Sequence, residues 1–440
     1  MGAFLARMTP RRRLLLFRTV PVVFLVIVAI QVYIYSDQLA QIPRMFASQP
    51  TETKPHTGSP EKIHDGEILP ATDITLYLNA ILGREKNSTL DLGCPKFDEL
   101  RYEQLKKNTQ GTQHKLYFFA LDLRQNLPLL QQLIGSTLEA VRFLGPANCA
   151  LSIVEGNSND GTKDVLSALS HEMKTLGLDY TFQTSTVDPS HDDRIGKLAS
   201  LRNLALEPLL LRSNVFNNET TVIFINDVAI CPEDLLELVL QRINLRADMT
   251  CAMDWTYAGQ DPTFYDVWVA RGMTGDSFFL IPPDGNWDSA WNLFWNDQDS
   301  KSRLDKHLPF QVFSCWNGAT AFTAHAILNK IQFRKPVGTE CTQGEPQLFC
   351  KDLWLNGFGR IAVIPSVNLE YSVEKGKMIK EAKGFTLANV GESKEGEYKI
   401  TWQQDPPEKV KCMPVYENQY FQPWNEGAAN TTNSTQNRTS

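Results

Sequence analysis

Acidic and amide side chains that directly follow short apolar runs are where this sequence can place chemistry. The run Thr221-Val222-Ile223-Phe224-Ile225 passes straight into Asn226-Asp227-Val228. A carboxylate at the end of a buried strand suits a hard divalent cation, because Mg2+ and similar ions take oxygen ligands and share them with phosphate. Such a cation neutralises a leaving diphosphate as a Lewis acid. Asp227 is therefore the candidate metal ligand and catalytic carboxylate, with Asn226 beside it. A helix-capping aspartate is the competing reading. A paired Asp-x-Asp is absent, since the flanking positions are Ile225 and Ala229.

Other sites follow the same logic. After the apolar stretch Cys149–Val154 comes Glu155-Gly156-Asn157-Ser158-Asn159-Asp160-Gly161-Thr162. Glu155 and Asp160 can accept hydrogen bonds from a ribose or base edge, the glycines allow tight turns, and Thr162 can cap a helix. An ordinary polar loop is the plainer alternative. In Arg194–Asn203, the basic residues Arg194, Lys197 and Arg202 recur at spacings of three to five. Part of that set shares a helical face, where Lys197 and Arg202 can grip phosphates; a solvated helix face has the same spacing. Farther on, Trp316 and Asn317 offer a ring face for stacking on a sugar and an amide for its hydroxyls, against the alternative of a core tryptophan. Glu345 and Asp352 are carboxylates able to orient an acceptor hydroxyl or complete a metal site.

These residues need a scaffold that brings strand ends together. Apolar strands are expected at Leu116–Leu121, Cys149–Val154, Tyr180–Thr184, Thr221–Ile225 and Met249–Met253, separated by helical stretches near Leu127–Phe143, Thr162–Leu176, Arg194–Leu211 and Glu233–Leu245. Strand–helix alternation of this kind predicts an α/β fold, a mostly parallel sheet with helices on both faces. Ligands in such sheets sit beyond the carboxyl ends of the strands. After Asp254 the pattern reads as irregular and rich in Trp and Gly.

The flanks point to a compartment. Five arginines and no acid occupy residues 1–18, followed by the apolar run Thr19–Tyr35. As a helix that run spans about 26 Å. The arginines predict a cytosolic N-terminal tail and a single transmembrane signal-anchor. Residues 36–70 read as a proline-bearing stem, 71–415 as the lumenal domain and 416–440 as a glycosylated tail. All eight cysteines follow the apolar run, none as Cys-x-x-Cys, which permits up to four disulfides in an oxidising lumen. Sequons at Asn87, Asn218, Asn430, Asn433 and Asn437 agree. The net charge of −7 gives no basic footprint for nucleic acid, and nothing specifies an oligomeric state.

The segments FFALDLRQN, VEGNSNDGT, KLASLRNLAL, VIFINDVAICPEDLLEL, CAMDW, CWNGATAF and ECTQGEPQLFCKDLW, in that order between about Leu116 and Tyr371, resemble the fungal cryptococcal-type α-1,3-mannosyltransferases, a family that includes capsule-associated membrane proteins. The resemblance implies a GT-A-like fold, a Golgi membrane protein of type II topology, GDP-mannose as donor, a glycan acceptor, a manganese- or magnesium-type cation and retention of configuration. On this reading Asp227 holds the metal. Glu155, Asp160, Lys197, Arg202 and Asn226 serve the donor, Trp316 and Asn317 the acceptor, and Glu345 or Asp352 the second metal position. The alternatives are a glycosyltransferase with another nucleotide-sugar donor and a non-catalytic lumenal factor for glycan binding or polysaccharide export.

Overall fold

The computed structural model describes residues 63–85, 91–106, 114–212, 214–391 and 395–427. The run Thr19–Tyr35, most of the stem, and the sequons at Asn87, Asn430, Asn433 and Asn437 lie outside the described residues. Among the described residues no helix is long and apolar enough to cross a membrane.

The first half follows the alternation. Strand β1 is Tyr117–Leu123, helix α1 Leu127–Leu144, β2 Cys149–Glu155, α2 Thr162–Leu176, β3 Asp179–Thr184, α3 Arg194–Leu211, β4 Thr221–Ile225, α4 Pro232–Asn244 and β5 Met249–Tyr257. The second half is more regular than its composition suggests. It supplies β6 (Pro262–Phe264), β7 (Arg271–Gly272), β8 (Phe310–Ser314), β9 (Ala319–Thr323), helix α5 (Glu345–Leu355) and β10 (Ile361–Leu369). The main sheet has ten strands in the order β3-β2-β1-β4-β9-β5-β10-β8-β7, with β6 paired to β5. β1 to β5 and β10 run in one direction, whereas β8 and β9 run against them. The mixed, mostly parallel sheet expected of a GT-A-like, Rossmann-type fold is therefore present, with an antiparallel strand inserted between β4 and β5.

Side chains alternate across the strands. Tyr117, Phe119 and Leu121 pack into one core with α1, α2 and α4. Phe118 and Ala120 pack into a second core with α3 and α5. Both faces are covered, so the strands read as continuous apolar runs.

The folded region extends past both ends of the 71–415 range. The Asp164 carboxylate accepts from the backbone N–H groups of Glu67, Ile68 and Leu69 at 2.8–2.9 Å, tying residues 67–69 to the start of α2. At the other end, β11 (Lys409–Val415) and β12 (Asn418–Pro423) form a hairpin, and Lys351 Nζ pairs with the Glu426 carboxylate at 3.2 Å.

Three disulfides form: Cys94–Cys231, Cys251–Cys315 and Cys341–Cys412. Cys149 and Cys350 are buried thiols; burial pushes the Cys350 thiol up to about 12, which keeps it unreactive. Cys251–Cys315 ties β5 to the residue preceding Trp316. Its 64-residue span restricts the unfolded chain by about 4 kcal/mol in the loop-entropy account. Replacing both cysteines with alanine is expected to lower the unfolding free energy by about 2–4 kcal/mol, as read by guanidinium titration.

Candidate functional site

After β1 the chain winds outward to β2 and β3, then returns to place β4 on the other side of β1. The strand order reverses there, which opens a crevice at the carboxyl ends of β1 and β4. A cleft of about 1150 Å³ occupies it, lined among others by Asp122, Arg194, Arg202, Asn226, Asp227 and Glu345. That exceeds the usual range for a small-ligand pocket, leaving room for two ligands.

Arg202 organises the floor. Its Nε donates to Glu345 Oε1 at 2.9 Å and its Nη1 to Asn226 Oδ1 at 3.3 Å. The same Nη1 lies 4.0 Å from the Asp122 carboxylate. The guanidinium stands 4.6 Å over the Trp316 ring, within cation–π range, and Trp316 Nε1 donates to Asn226 Oδ1 at 2.9 Å. Glu345 opens α5, where the helix dipole favours a negative charge.

The cleft carries surplus negative charge. One buried guanidinium faces Asp122, Asp227 and Glu345. Burial, aided by the charges of Asp227 and Glu345 and opposed by Arg202, lifts the Asp122 carboxyl to about 6. Asp227 is exposed on the cleft side and makes no ion pair among the described residues. The walls around it still exclude enough water for desolvation to raise its carboxyl above the ordinary range. Among the described residues no group of three or more His, Cys, Asp or Glu side chains could hold a metal ion.

A second acidic group lies deeper. Tyr371 Oη donates to Asp254 Oδ2 at 2.6 Å, and the Asp266 N–H donates to Asp254 Oδ1 at 3.3 Å. Asp266 Oδ2 in turn accepts from the Asn317 N–H at 3.0 Å. Burial raises both carboxyls, with Asp266 at about 6 and Asp254 pushed further by its neighbour's charge.

Of the sequence candidates, Arg202, Asn226, Asp227, Trp316 and Glu345 meet at the cleft. The others do not. Glu155 is buried on the α1–α2 side of the sheet by strand alternation and accepts from the Ser158 N–H at 2.7 Å. Asp160 accepts from the N–H groups of Leu127 and Thr162, both at 3.0 Å, and so fixes the start of α1. Lys197 turns to the His191 carbonyl, while Arg194 lines the cleft in its place. Asn317 is fully buried with φ 53°, and its Nδ2 donates to the Ala252 carbonyl at 2.8 Å, so it holds a turn rather than reaching an acceptor. Asp352 is outside the cleft, bound through two hydrogen bonds by Arg334 at 2.6 and 2.8 Å. Trp316 is 2% exposed and serves as a platform under Arg202, with too little free face for a sugar. Asn218 is exposed in the turn before β4.

Asp122, Asp254, Asp266 and Tyr371 did not stand out in the sequence. For the three aspartates the only signal was an acid within or just after an apolar run; Tyr371 had none.

The Asp122 shift sets a pH dependence. Its carboxyl rises from an unfolded value of 3.8 to about 6. Between those values the folded chain retains a proton that the unfolded chain has lost. Stability from this group thus falls as pH rises from about 4 to 6. Asp122→Asn removes that loss, so its stability relative to wild type should improve by up to about 3 kcal/mol from pH 4 to pH 7.5, measured by urea unfolding at both pH values.

Known proteins share the sequence pattern. The family model for cryptococcal mannosyltransferase 1 matches residues 116–352. The alpha-1,3-mannosyltransferase CMT1 of Cryptococcus neoformans is 33% identical over 367 residues, which is 77% of this chain and 78% of that protein. Among solved structures, the mannosyltransferase PcManGT of Pyrobaculum calidifontis, in complex with GDP-Man and Mn2+, aligns with a TM-score of 0.35 and 11% identity over 68% of this chain and 67% of that one. The S. aureus TarS 1-349 structure with UDP aligns with a TM-score of 0.34 and 14% identity over 58% and 59%. Likenesses this distant carry no argument about donor or metal. The sequence match does carry one: the chain belongs to the cryptococcal mannosyltransferase 1 family and is a glycosyltransferase.

Proposed function

We propose that the chain moves mannose from GDP-mannose to a hydroxyl of a glycan acceptor, forming an α-1,3 linkage with retention of configuration. The observation that carries this reading, beside the family, is the open Asp227 carboxylate at the sheet's switch point, in a cleft with more acid than base. Asp227 would hold a manganese- or magnesium-type cation together with the donor diphosphate. When bound, that cation supplies charge neutralisation of the departing nucleotide. Arg194, which opens α3 and lines the cleft, would meet a phosphate oxygen. Arg202 is already immobilised by Glu345, Asn226 and Trp316, so its positive charge needs no reorganisation as negative charge builds on the diphosphate. Retention places the acceptor hydroxyl on the face the nucleotide leaves, so no base is required on the opposite side of the ring.

The same proposal places the protein in the Golgi membrane, anchored once by Thr19–Tyr35 with the catalytic domain in the lumen. The arginine bias of the N-terminus, three disulfides and an exposed sequon at Asn218 support it. Three bonds of this kind are at home in an oxidising compartment.

The test uses the chain from Thr51 onward. GDP release from GDP-mannose is measured with and without manganese, beside UDP-glucose, UDP-galactose and GDP-fucose. Manganese-dependent turnover is expected with GDP-mannose alone, falling at least about 100-fold in Asp227→Ala, since it removes the proposed electrostatic support for the leaving group. Turnover of a different donor would overturn the sugar. Undiminished metal-dependent turnover in the variant would overturn the cation site. Arg202→Lys gives a separate expectation. An ammonium cannot reproduce a stacked, forked guanidinium, so kcat should fall about 100-fold, the scale of losing one preorganised donor. Nucleotide KM should change little, and circular dichroism should show the fold intact.

A further inference from the structure

The lining of the cleft mixes two chemistries. Arg124, Arg194, Lys335 and Ser190 contribute to it, and so do Tyr265, Asp266, Trp268 and Tyr371. Three of these four come from a single segment, Tyr265-Asp266-Val267-Trp268, directly after β6.

The segment is built rather than loose. Val267 is buried, and its N–H donates to the Tyr265 carbonyl at 2.8 Å. Asp266 is held through one oxygen by the Asn317 N–H. The Tyr265 ring lies 4.9 Å from that of Tyr371, and the Trp268 ring 4.8 Å from that of Tyr416. Tyr416 is itself backed by Gly285, where a Cβ would come within 2.5 Å of the ring. Tyr265 nevertheless remains 46% exposed, and Trp268 is half-buried. A pyranose has an apolar face of C–H groups and an equator of hydroxyls. Ring faces meet the first and a fixed carboxylate accepts hydrogen bonds from the second.

Resting on the glycosyl-transfer reading above, we infer that Tyr265, Asp266 and Trp268 form the acceptor subsite, which takes a pyranoside by stacking on the two aromatic rings and by a hydroxyl hydrogen bond to Asp266. Trp316 and Asn317, buried in the structure, act behind this site rather than in it.

Full-length protein in detergent micelles serves for the test. Saturation-transfer NMR reports binding of methyl α-mannoside and methyl α-glucoside in the absence of donor. Transfer kinetics with methyl α-mannoside as acceptor report KM for each substrate. Tyr265→Ala and Trp268→Ala should each weaken the NMR signal and raise acceptor KM about five- to tenfold, the scale of one aromatic contact. Donor KM should rise less than acceptor KM, because the rings are assigned to the acceptor. Trp268→Phe, which keeps a ring, should restore acceptor KM to within about threefold. Because Tyr265 is nearly half exposed, its variant tests the subsite even where Trp268→Ala unfolds. Undiminished glycoside binding in Tyr265→Ala, no glycoside binding in wild type, or an equal rise in donor KM would overturn the assignment. If the variants no longer bind glycoside while the wild type turns over a donor other than GDP-mannose, the subsite stands and only the donor falls.

Discussion

Everything in the cleft depends on a guanidinium buried where water cannot solvate it. Arg202 is 7% exposed. A cation so placed is strongly destabilising unless its charge and donors are met. Glu345, Asn226, Asp122 and the Trp316 face meet them together. The partners come from β1, β4, the β8–β9 turn and the first turn of α5. Satisfying one side chain therefore fixes the relative position of the parallel half of the sheet and the later, mixed half. Glu345 lies 143 residues from Arg202, and Trp316 lies 90 from Asn226. A polar network this long-range specifies geometry more than it adds stability.

That dependence also explains what the sequence could disclose. The strand–helix alternation up to β5 was legible because doubly covered strands are continuous apolar runs. Asp227 was legible because an acid after such a run stands out. Asp122 was not, since the apolar run seemed to stop at Leu121, whereas β1 continues to Leu123 and carries the acid on its cleft-facing side. Insertion of β9 between β4 and β5 had no local signature, because strand order is decided by pairing across the whole chain. Spacing placed Lys197 and Arg202 on one helix, yet one reaches back to the His191 carbonyl and the other enters the core. Asp352, two turns along α5 from Glu345, met Arg334 instead of a ligand. Residue type and period name candidates; the identity of a side chain's neighbour depends on long-range packing that sequence period does not encode.

The turn between β8 and β9 carries this reasoning one step further. Trp316 supports Arg202 and bonds Asn226, on the side assigned to the nucleotide. Asn317, the next residue, holds Asp266 through its backbone N–H, on the side assigned to the acceptor. Asn317 adopts φ 53° and is followed by Gly318 at φ 81°, a backbone course that turns two successive residues toward different partners and is costly for most side chains. Cys315, immediately before, is bonded to β5, so the turn cannot shift without moving the sheet. The proposed retaining transfer would bring nucleophile and leaving group to the same face of the sugar, where small errors in their separation are expensive. Two adjacent residues on one anchored turn, one supporting Arg202 and the other Asp266, would set that separation by covalent geometry rather than by the softer packing of distant elements.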